Sequence, residues 1–331
     1  MEIPGFTLDI SMLGQQAKRP DPGETYDLLI LGGGPAAMSA AVYAVRKMMK
    51  TAVLAKDIGG QVGETSQIEN YLGFQTITGT DLVAKFKEHA KAFDIPIELG
   101  EKVTKIRKDG DLFKVRLEGG GEFTGKSGVL STGTRHRPLG VPGEKELMGK
   151  GVAICSICDA PFFKDKKVVV AGGGNSAFTA ALDVLKVAEK VTIINYSKGW
   201  KADEIMIESV KKFGDKLLML DGHAVLSIDG SGQVEAVRVR DRDTNEEKVL
   251  PADGIFIEIG LLPNSDPVRD LALLNKHGEL IVDYKCATSV EGLFGAGDVT
   301  TVPYKQIVVS AGEGAKAALA AYDYLVAHGR L

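Results

Sequence analysis

The sequence predicts an α/β protein built from two Rossmann-like, three-layer units. Three observations lead there. A short apolar run at 26–31 (YDLLIL) ends in Gly32-x-Gly34-x-x-Ala37 and is followed by helical spacing. About 140 residues later the pattern restarts, with 168–171 (VVVA) running into Gly172-x-Gly174-x-x-Ala177. Near the end, a third strand closes on Gly295-Ala296-Gly297-Asp298. A strand that stops on glycines and opens a helix leaves uncapped helix N–H groups, which hold a pyrophosphate, so both units read as dinucleotide-binding.

Taken in order, residues 1–24 carry apolar Ile3, Phe6, Leu8, Ile10 and Leu13 before a Pro20-Asp21-Pro22-Gly23 linker. They are expected to form an arm packed on the body or on a partner subunit, with a disordered leader as the alternative. In the first turn Pro35 and Ala36 open the helix, and Met38, Ala41, Val42 and Val45 mark its apolar face. A second strand at 51–54 lacks the usual terminal acid, since Ala55 and Lys56 stand there and Asp57 follows. Gly59-Gly60-Gln61 comes next, then 68–74 (IENYLGF) and a helix over 80–92. Alternation at 103–107 and 112–117 predicts a hairpin, and 128–133 a strand ending in Ser131-Thr132-Gly133.

The second turn continues through Asn175 and Ser176 into a helix to Lys186, then a strand at 191–194. Residues 237–240 and 248–250 pair across Asp243-Thr244-Asn245, 255–260 is a buried strand, and 261–264 a hinge. Asp298 is placed to accept a hydrogen bond from a ribityl or ribose hydroxyl. Lys305-Gln306-Ile307 then opens a helix whose small residues at 310–318 permit close approach of a flat ring or a second helix.

Between the two glycine turns lies Cys155-Ser156-Ile157-Cys158-Asp159, which holds two of the three cysteines. A pair at this spacing closes and reopens a small disulfide, and an adjacent carboxylate moves the proton that thiol exchange requires. Half a zinc site is the competing reading. It needs two further ligands at motif spacing, and Cys286 and five scattered histidines do not supply them. A net charge of −4 with no long basic run excludes a nucleic-acid role. No stretch approaches the ~20 apolar residues of a membrane span. Few cysteines and an N-terminus without a signal pattern predict a cytoplasmic protein. Lys164, Lys166 and Lys167 read as a solvated turn, with steering of an acidic partner as the alternative. His136 reads as a surface residue rather than a catalytic one, and Cys286 as an inert thiol in a strand-edge segment. Trp200 and Lys198 either line a donor site or form an ordinary loop.

Together these residues resemble the low-molecular-weight thioredoxin reductases of the pyridine nucleotide–disulfide oxidoreductase superfamily over residues 26–325. The specific elements are the two glycine turns, Gly59-Gly60-Gln61, Glu69-Asn70-Tyr71, Ser131-Thr132-Gly133, the Cys155/Cys158/Asp159 cluster, Gly297-Asp298 and Gln306. The resemblance implies an FAD domain in two pieces, 25–134 and 262–331, with a pyridine-nucleotide-like domain at 135–261 inserted between them. It implies FAD at Gly32, Gly34, Pro35, Ala36, Ala37, Gly60, Gln61, Asn70, Thr132, Gly133, Gly297, Asp298, Lys305, Gln306 and Ile307. The pyridine nucleotide would lie at Gly172, Gly174, Asn175, Ser176 and Ala177. It further implies a homodimer, a thioredoxin-like protein partner, and rotation of one domain against the other near Gly133–Thr134 and Leu261–Pro263. By the same carry-over Cys158 faces the flavin, Cys155 attacks the partner's disulfide, and Asp159 is the acid–base.

One departure bears on the electron donor. NADPH-using members carry a His-Arg-Arg run where this chain reads Asn195-Tyr196-Ser197, and a further arginine where it has Lys201. A 2′-phosphate is held by a bidentate cationic fork, which lysine does not provide. Asn195 is not the acid that an NADH ribose takes either, and the helix after the turn reads Phe178-Thr179-Ala180-Ala181 in place of the family's glutamates. NADPH is therefore expected to be a weak donor, with NADH, reduced ferredoxin or a deazaflavin as alternatives. A flavin-bearing sensor without efficient turnover, or a reductase of another disulfide carrier such as a peroxidase-linked one, are the competing functions.

Overall fold

The computed structural model describes residues 18–65 and 68–331, so the apolar positions of the expected N-terminal arm lie outside the described residues. The first unit runs β1 (Thr25–Leu31), α1 (Pro35–Arg46), β2 (Thr51–Ala55), α2 (Gly79–Ala92), β3 (Ile97–Leu99), β4 (Val103–Asp109), β5 (Leu112–Leu117) and β6 (Glu122–Leu130). After β7 (Thr134–His136) the second unit begins with β8 (Val152–Ala153), α3 (Ser156–Asp159), β9 (Lys167–Ala171), α4 (Asn175–Leu185) and β10 (Lys190–Asn195). It continues through α5 (Glu204–Lys211), β11 (Leu217–Asp221), β12 (His223–Asp229), β13 (Ala236–Asp241), β14 (Glu247–Pro251) and β15 (Gly254–Ile257). Then β16 (Leu261–Pro263) leads to β17 (Leu293–Gly295) and α6 (Ile307–Ala327).

Strand pairing carries the chain back to where it started. The first sheet has the order β3-β2-β1-β6-β5-β4, and the late strand β17 joins it by pairing parallel with β6. The second sheet, β11-β10-β9-β15-β8, is parallel throughout, and β12-β13-β14 forms an antiparallel sheet of its own. Strand β6 forks: Glu122 to Gly125 pair with β5, and Gly128 to Leu130 pair with β17. That explains why this strand starts earlier than 128. Its first half reads EFTGKSG, with no apolar run to mark it.

Both units bury each central strand on two faces, the pattern of parallel sheets. Leu28 and Ile30 of β1 pack with α1 and α6, while Leu29 and Leu31 pack on the other side with Phe113, Val115 and Phe123. In β9 the same alternation sends Val168 and Val170 toward α4, and Val169 and Ala171 toward the antiparallel sheet. Phe178 of α4 is wholly buried, a burial worth about 2–3 kcal/mol. Helix α1 begins on Pro35, whose missing N–H costs nothing at that position. It lies so close to α6 that a Cβ at Gly314 would fall on the carbonyl oxygen of Ala36.

The two segments expected to act as hinges pair with each other. β7 and β16 form an antiparallel ribbon in which Thr134 opposes Pro263 and His136 opposes Leu261. Beside it, Asn264 Nδ2 donates to the Thr132 carbonyl (2.9 Å), and the Thr132 hydroxyl donates to the Asn264 carbonyl (2.7 Å). Both crossings between the units thus run through one ribbon. Among the described residues no helix is long and apolar enough to cross a membrane.

Candidate active site

The first glycine turn is shaped to leave room. Gly32 has φ +125° and a Cβ there would meet the Ser131 carbonyl, while Gly33 abuts the Asp57 carbonyl. Gly34, by contrast, has nothing within 4 Å of a Cβ, and it caps α1 without any side-chain hydrogen bond. Pro35, Ala36 and Ala37 follow as the first turn of that helix. Gly60 approaches from the 3-10 turn Gly60–Glu64, its Cβ position 4.0 Å from the Gly34 Cα. Gln61 donates its side-chain amide to the Thr134 carbonyl at 2.7 Å. Thr132 and Gly133, with φ +63° at Gly133, lie beside that contact in the Asn264 clasp.

The C-terminal residues close the same region. Gly297 has φ +76°, and a Cβ there would sit 3.1 Å from both the Ala36 Cβ and the Ser310 hydroxyl. Asp298 accepts from that hydroxyl at 3.0 Å, and burial pushes its carboxyl above the usual range. Gln306 caps α6 without bonding its N–H groups, Ile307 is the first residue inside, and Asn70 Nδ2 donates to Gln306 Oε1 at 3.2 Å. Lys305 is held by an ion pair to Glu279 (3.0 Å) and a bond to the Thr300 carbonyl, so it braces the loop.

In the second unit, Cys155 and Cys158 form a disulfide with Cα atoms 5.3 Å apart. Cys155 is the N-cap of the one-turn helix α3, and the Asp159 N–H donates to its carbonyl at 2.9 Å. Burial raises the Asp159 carboxyl to about 6. Ser156 anchors the turn to α4 by a 3.4 Å bond to Asp183. Asp159 lines a cleft of about 330 Å³ with Phe162, Phe163, Lys166 and, from the first unit, Thr65. Asp159, next to the dithiol, therefore shares a cleft with a residue of the first unit.

At the second glycine turn, a Cβ on Gly172 would strike the Glu258 carbonyl and lie 2.8 Å from the Ala177 Cβ. Gly174 has open space and caps α4 with no side-chain bond. Ser176 is exposed in the first helical turn. The Asn175 side chain is committed at both ends, donating to Asp203 Oδ2 (3.0 Å) and accepting from the Asp203 N–H (2.8 Å).

The Pyridine nucleotide-disulphide oxidoreductase family matches residues 26–314, most of the chain. The chain belongs to this family. It is 34% identical to the thioredoxin reductase from Streptococcus pyogenes MGAS5005, covering 92% of this chain and 99% of that one with a TM-score of 0.86. Lactococcus lactis thioredoxin reductase in its FR conformation is 36% identical over 91% and 99%, yet its TM-score is 0.64. An alkyl hydroperoxide reductase component of Pseudomonas putida is 41% identical over 322 residues, 96% of this chain and 62% of the relative. The chain thus spans about three fifths of the length of that curated relative.

The chain is thus a member of the pyridine nucleotide-disulphide oxidoreductase family and similar to low-molecular-weight thioredoxin reductases. Membership implies FAD and an NAD(P)H-dependent reaction. The residues present fit a flavin dinucleotide. Two helices, α1 and α6, open toward it with uncapped N–H groups, room is left beside Gly34, and the half-buried Asp298 stands near both as an acceptor. In this oxidoreductase several expectations change. His136 is half-buried on the ribbon, and burial lowers its imidazole to about 4, so it is not a surface histidine. Trp200 is half-buried rather than part of an ordinary surface loop, packing edge-on to Phe178 at 5.3 Å against the α4 core. Lys198 is ion-paired with Asp243. Cys286 sits in a turn with φ +66° rather than in a strand, donates to Glu313 at 3.2 Å, and is pushed up to about 12 by burial. The three basic-turn lysines are all exposed.

Three residues of this oxidoreductase escaped sequence reading. Thr65 lines the same cleft as Asp159, Asp221 bonds to Asn195, and Glu258, just past β15, is raised to about 8 by burial. A signal existed for the last, since a glutamate interrupts an otherwise apolar run at 255–260 (IFIEIG).

Proposed function

We propose that this chain is an FAD-dependent disulfide reductase that passes electrons from a reduced pyridine nucleotide through Cys155 and Cys158 to a thioredoxin-like protein. The carrying observation is the Cys155–Cys158 disulfide next to Asp159, whose carboxyl is raised to about 6 and which lines a cleft shared with Thr65. On this reading 25–134 with 262–331 hold the flavin, and 135–261 hold the dithiol and the nucleotide. Bound FAD would accept a hydride from the nucleotide and deliver two electrons to the disulfide. The gap between TM-scores of 0.86 and 0.64 at nearly equal coverage supports two placements of the units, with the β7–β16 ribbon as the pivot.

Reduction opens the disulfide into two thiols. The Cys155 thiolate attacks one sulfur of the partner's disulfide, and the partner's other sulfur leaves as a thiolate. Cys158 then attacks the Cys155 sulfur, which re-forms the intramolecular disulfide and releases the partner with two electrons more. Asp159 supplies a proton to a departing thiolate and takes one back, a task suited to a carboxyl near 6.

A second reading is favoured by the relatives named as components of alkyl hydroperoxide reductase. There the electrons would go to a carrier that serves a hydroperoxide-reducing protein. The reading extends to a homodimer, which sedimentation tests. The deciding experiment reduces the flavin anaerobically with NADH, NADPH or a low-potential protein donor such as reduced ferredoxin. It then compares turnover of an oxidised thioredoxin with turnover of a peroxidase-linked carrier. No turnover of any protein disulfide by the flavin-reduced enzyme would leave only a stoichiometric sensor.

A further inference from the structure

In a β-turn-α-β nucleotide unit the adenosine ribose lies at the end of the second strand, where an acid commonly takes the 2′-hydroxyl. That place is Asn195, the last residue of β10, and it is buried. Its Nδ2 donates to the Gly199 carbonyl at 3.1 Å and to Asp221 Oδ1 at 2.9 Å. Both partners are acceptors only, so the amide orientation is fixed by its bonds. The remaining group, Oδ1, faces the glycine turn: a Cβ on Gly173 would fall on it. The other Asp221 oxygen accepts the Gly199 N–H at 2.9 Å. Asp221 ends the neighbouring strand β11, opposite Asn195 in the parallel register.

A carboxylate therefore stands one residue-width behind an amide that offers a single oxygen to the ribose edge of the turn. The cations nearby do not offset it freely. Lys198 is ion-paired with Asp243, and Asp241 and Asp221 add to the negative field around it. Arg242 lies 4.1 Å over the Tyr196 ring and donates to the Tyr196 carbonyl at 3.0 Å. Lys201 is exposed, its backbone N–H bonded to the Gly173 carbonyl at 2.7 Å.

We propose that Asp221, acting through the Asn195 amide, is a specificity-determining positioning residue. It locks Asn195 Oδ1 to accept the ribose 2′-hydroxyl of NADH and repels the 2′-phosphate of NADPH. The acid missing at 195 is thus supplied from the next strand. This rests on the reading of the second turn as the pyridine-nucleotide site.

The test uses the flavin-loaded full chain and two unreactive probes, ADP-ribose and 2′-phospho-ADP-ribose, titrated calorimetrically at low salt. The wild type should bind ADP-ribose more tightly by about 10-fold or more. Asp221→Asn removes the charge and keeps one acceptor oxygen for the Asn195 amide, at the cost of the Gly199 N–H bond. It should shift the ratio of the two affinities toward 2′-phospho-ADP-ribose by about 10-fold. Added salt should shrink the wild-type discrimination, because Asp221 is exposed, and leave that of Asp221→Asn almost unchanged. Asn195→Ala should weaken ADP-ribose by about 10-fold. A ratio unchanged by Asp221→Asn, with ADP-ribose still bound, overturns the proposal alone. Failure of the flavin-loaded wild type to bind either probe overturns it together with the pyridine-nucleotide reading.

Discussion

Asn70 and Gln306, 236 residues apart in sequence, are joined by a 3.2 Å bond from Nδ2 to Oε1 at the open end of α6. That bond brings the loop after β2 to the last helix, so the proposed flavin site is closed by residues from both ends of the chain. Asp298, half-buried, completes it from the turn after β17, its carboxylate accepting from the Ser310 hydroxyl. The expected outcome is that Asp298→Ala weakens FAD retention by about 10–100-fold, and Asn70→Ala by about 3–10-fold. The flavin-to-protein absorbance ratio after dialysis, and titration of the apoprotein, measure both. Full flavin retention by Asp298→Ala would remove this aspartate from the site.

The two cysteines should fail differently. Cys155→Ser and Cys158→Ser each abolish turnover, but Cys158→Ser retains the attacking thiol and should accumulate a mixed disulfide with its partner. Cys155→Ser should instead leave Cys158 beside the flavin and perturb its visible spectrum. Non-reducing electrophoresis and absorbance read the two results. Stable trapping by Cys155→Ser would exchange the roles assigned to the pair.

Asp159, raised to about 6, fixes a pH dependence. Its protonated form predominates below about 6, so proton delivery to a leaving thiolate should be fastest there and decline as pH rises through that value. Asp159→Asn should slow the single-turnover reduction of the disulfide by about 100-fold and abolish that inflection. A wild-type profile flat between pH 5 and 7 would contradict the assignment.

Local patterns were legible in the sequence and cross-chain ones were not. Strand, glycine turn and helix follow one another within a single stretch at Gly32 and again at Gly172, so residue type and spacing reveal them. The dithiol was equally plain, because Cys155, Cys158 and Asp159 are neighbours in the chain. The β7–β16 ribbon was hidden, since two three-residue strands carry no period and their pairing joins Thr134 to Pro263. Asn175 and Lys305 matched family positions by type, yet the sequence could not show that Asp203, Glu279 and the Thr300 carbonyl occupy their polar atoms. Nor could it show that Asp221 reaches Asn195, which depends on β10–β11 register.

The Asn264 clasp gives a prediction about the pivot. Besides its bond to the Thr132 carbonyl, its Oδ1 accepts from Arg135 Nη1 at 2.7 Å. Asn264→Ala removes both and should cost roughly 1–2 kcal/mol of stability. Because the clasp spans the two crossings, flavin reduction by the pyridine nucleotide and reduction of the disulfide should shift in rate relative to each other. Stopped-flow traces identical to wild type would show that the clasp is only structural.

The last prediction concerns Glu258, whose pKa burial raises to about 8. The alternation of β15 places it on the face of Phe256, toward α4, and its backbone continues the ladder through a 2.8 Å bond to the Ala171 carbonyl. Phe256 pairs with Ala153, so Glu258 and Cys155 each lie two residues beyond a paired position on adjacent strands. The sign follows from its titration. In the folded protein the carboxyl keeps its proton to about 8, whereas the unfolded chain loses it near 4.5. Below 4.5 both states hold the proton and the group has no effect on stability. Between the two values only the folded state holds it, so stability falls as pH rises, by at most about 1.4 kcal/mol per pH unit from this residue. Glu258→Gln removes the titration and should flatten the decline of the urea midpoint between pH 6 and 8, with the variant more stable than wild type at pH 8. Above 8 the difference should stay constant. Parallel curves for wild type and variant across that window would show that the carboxyl is solvated and ionised at neutral pH.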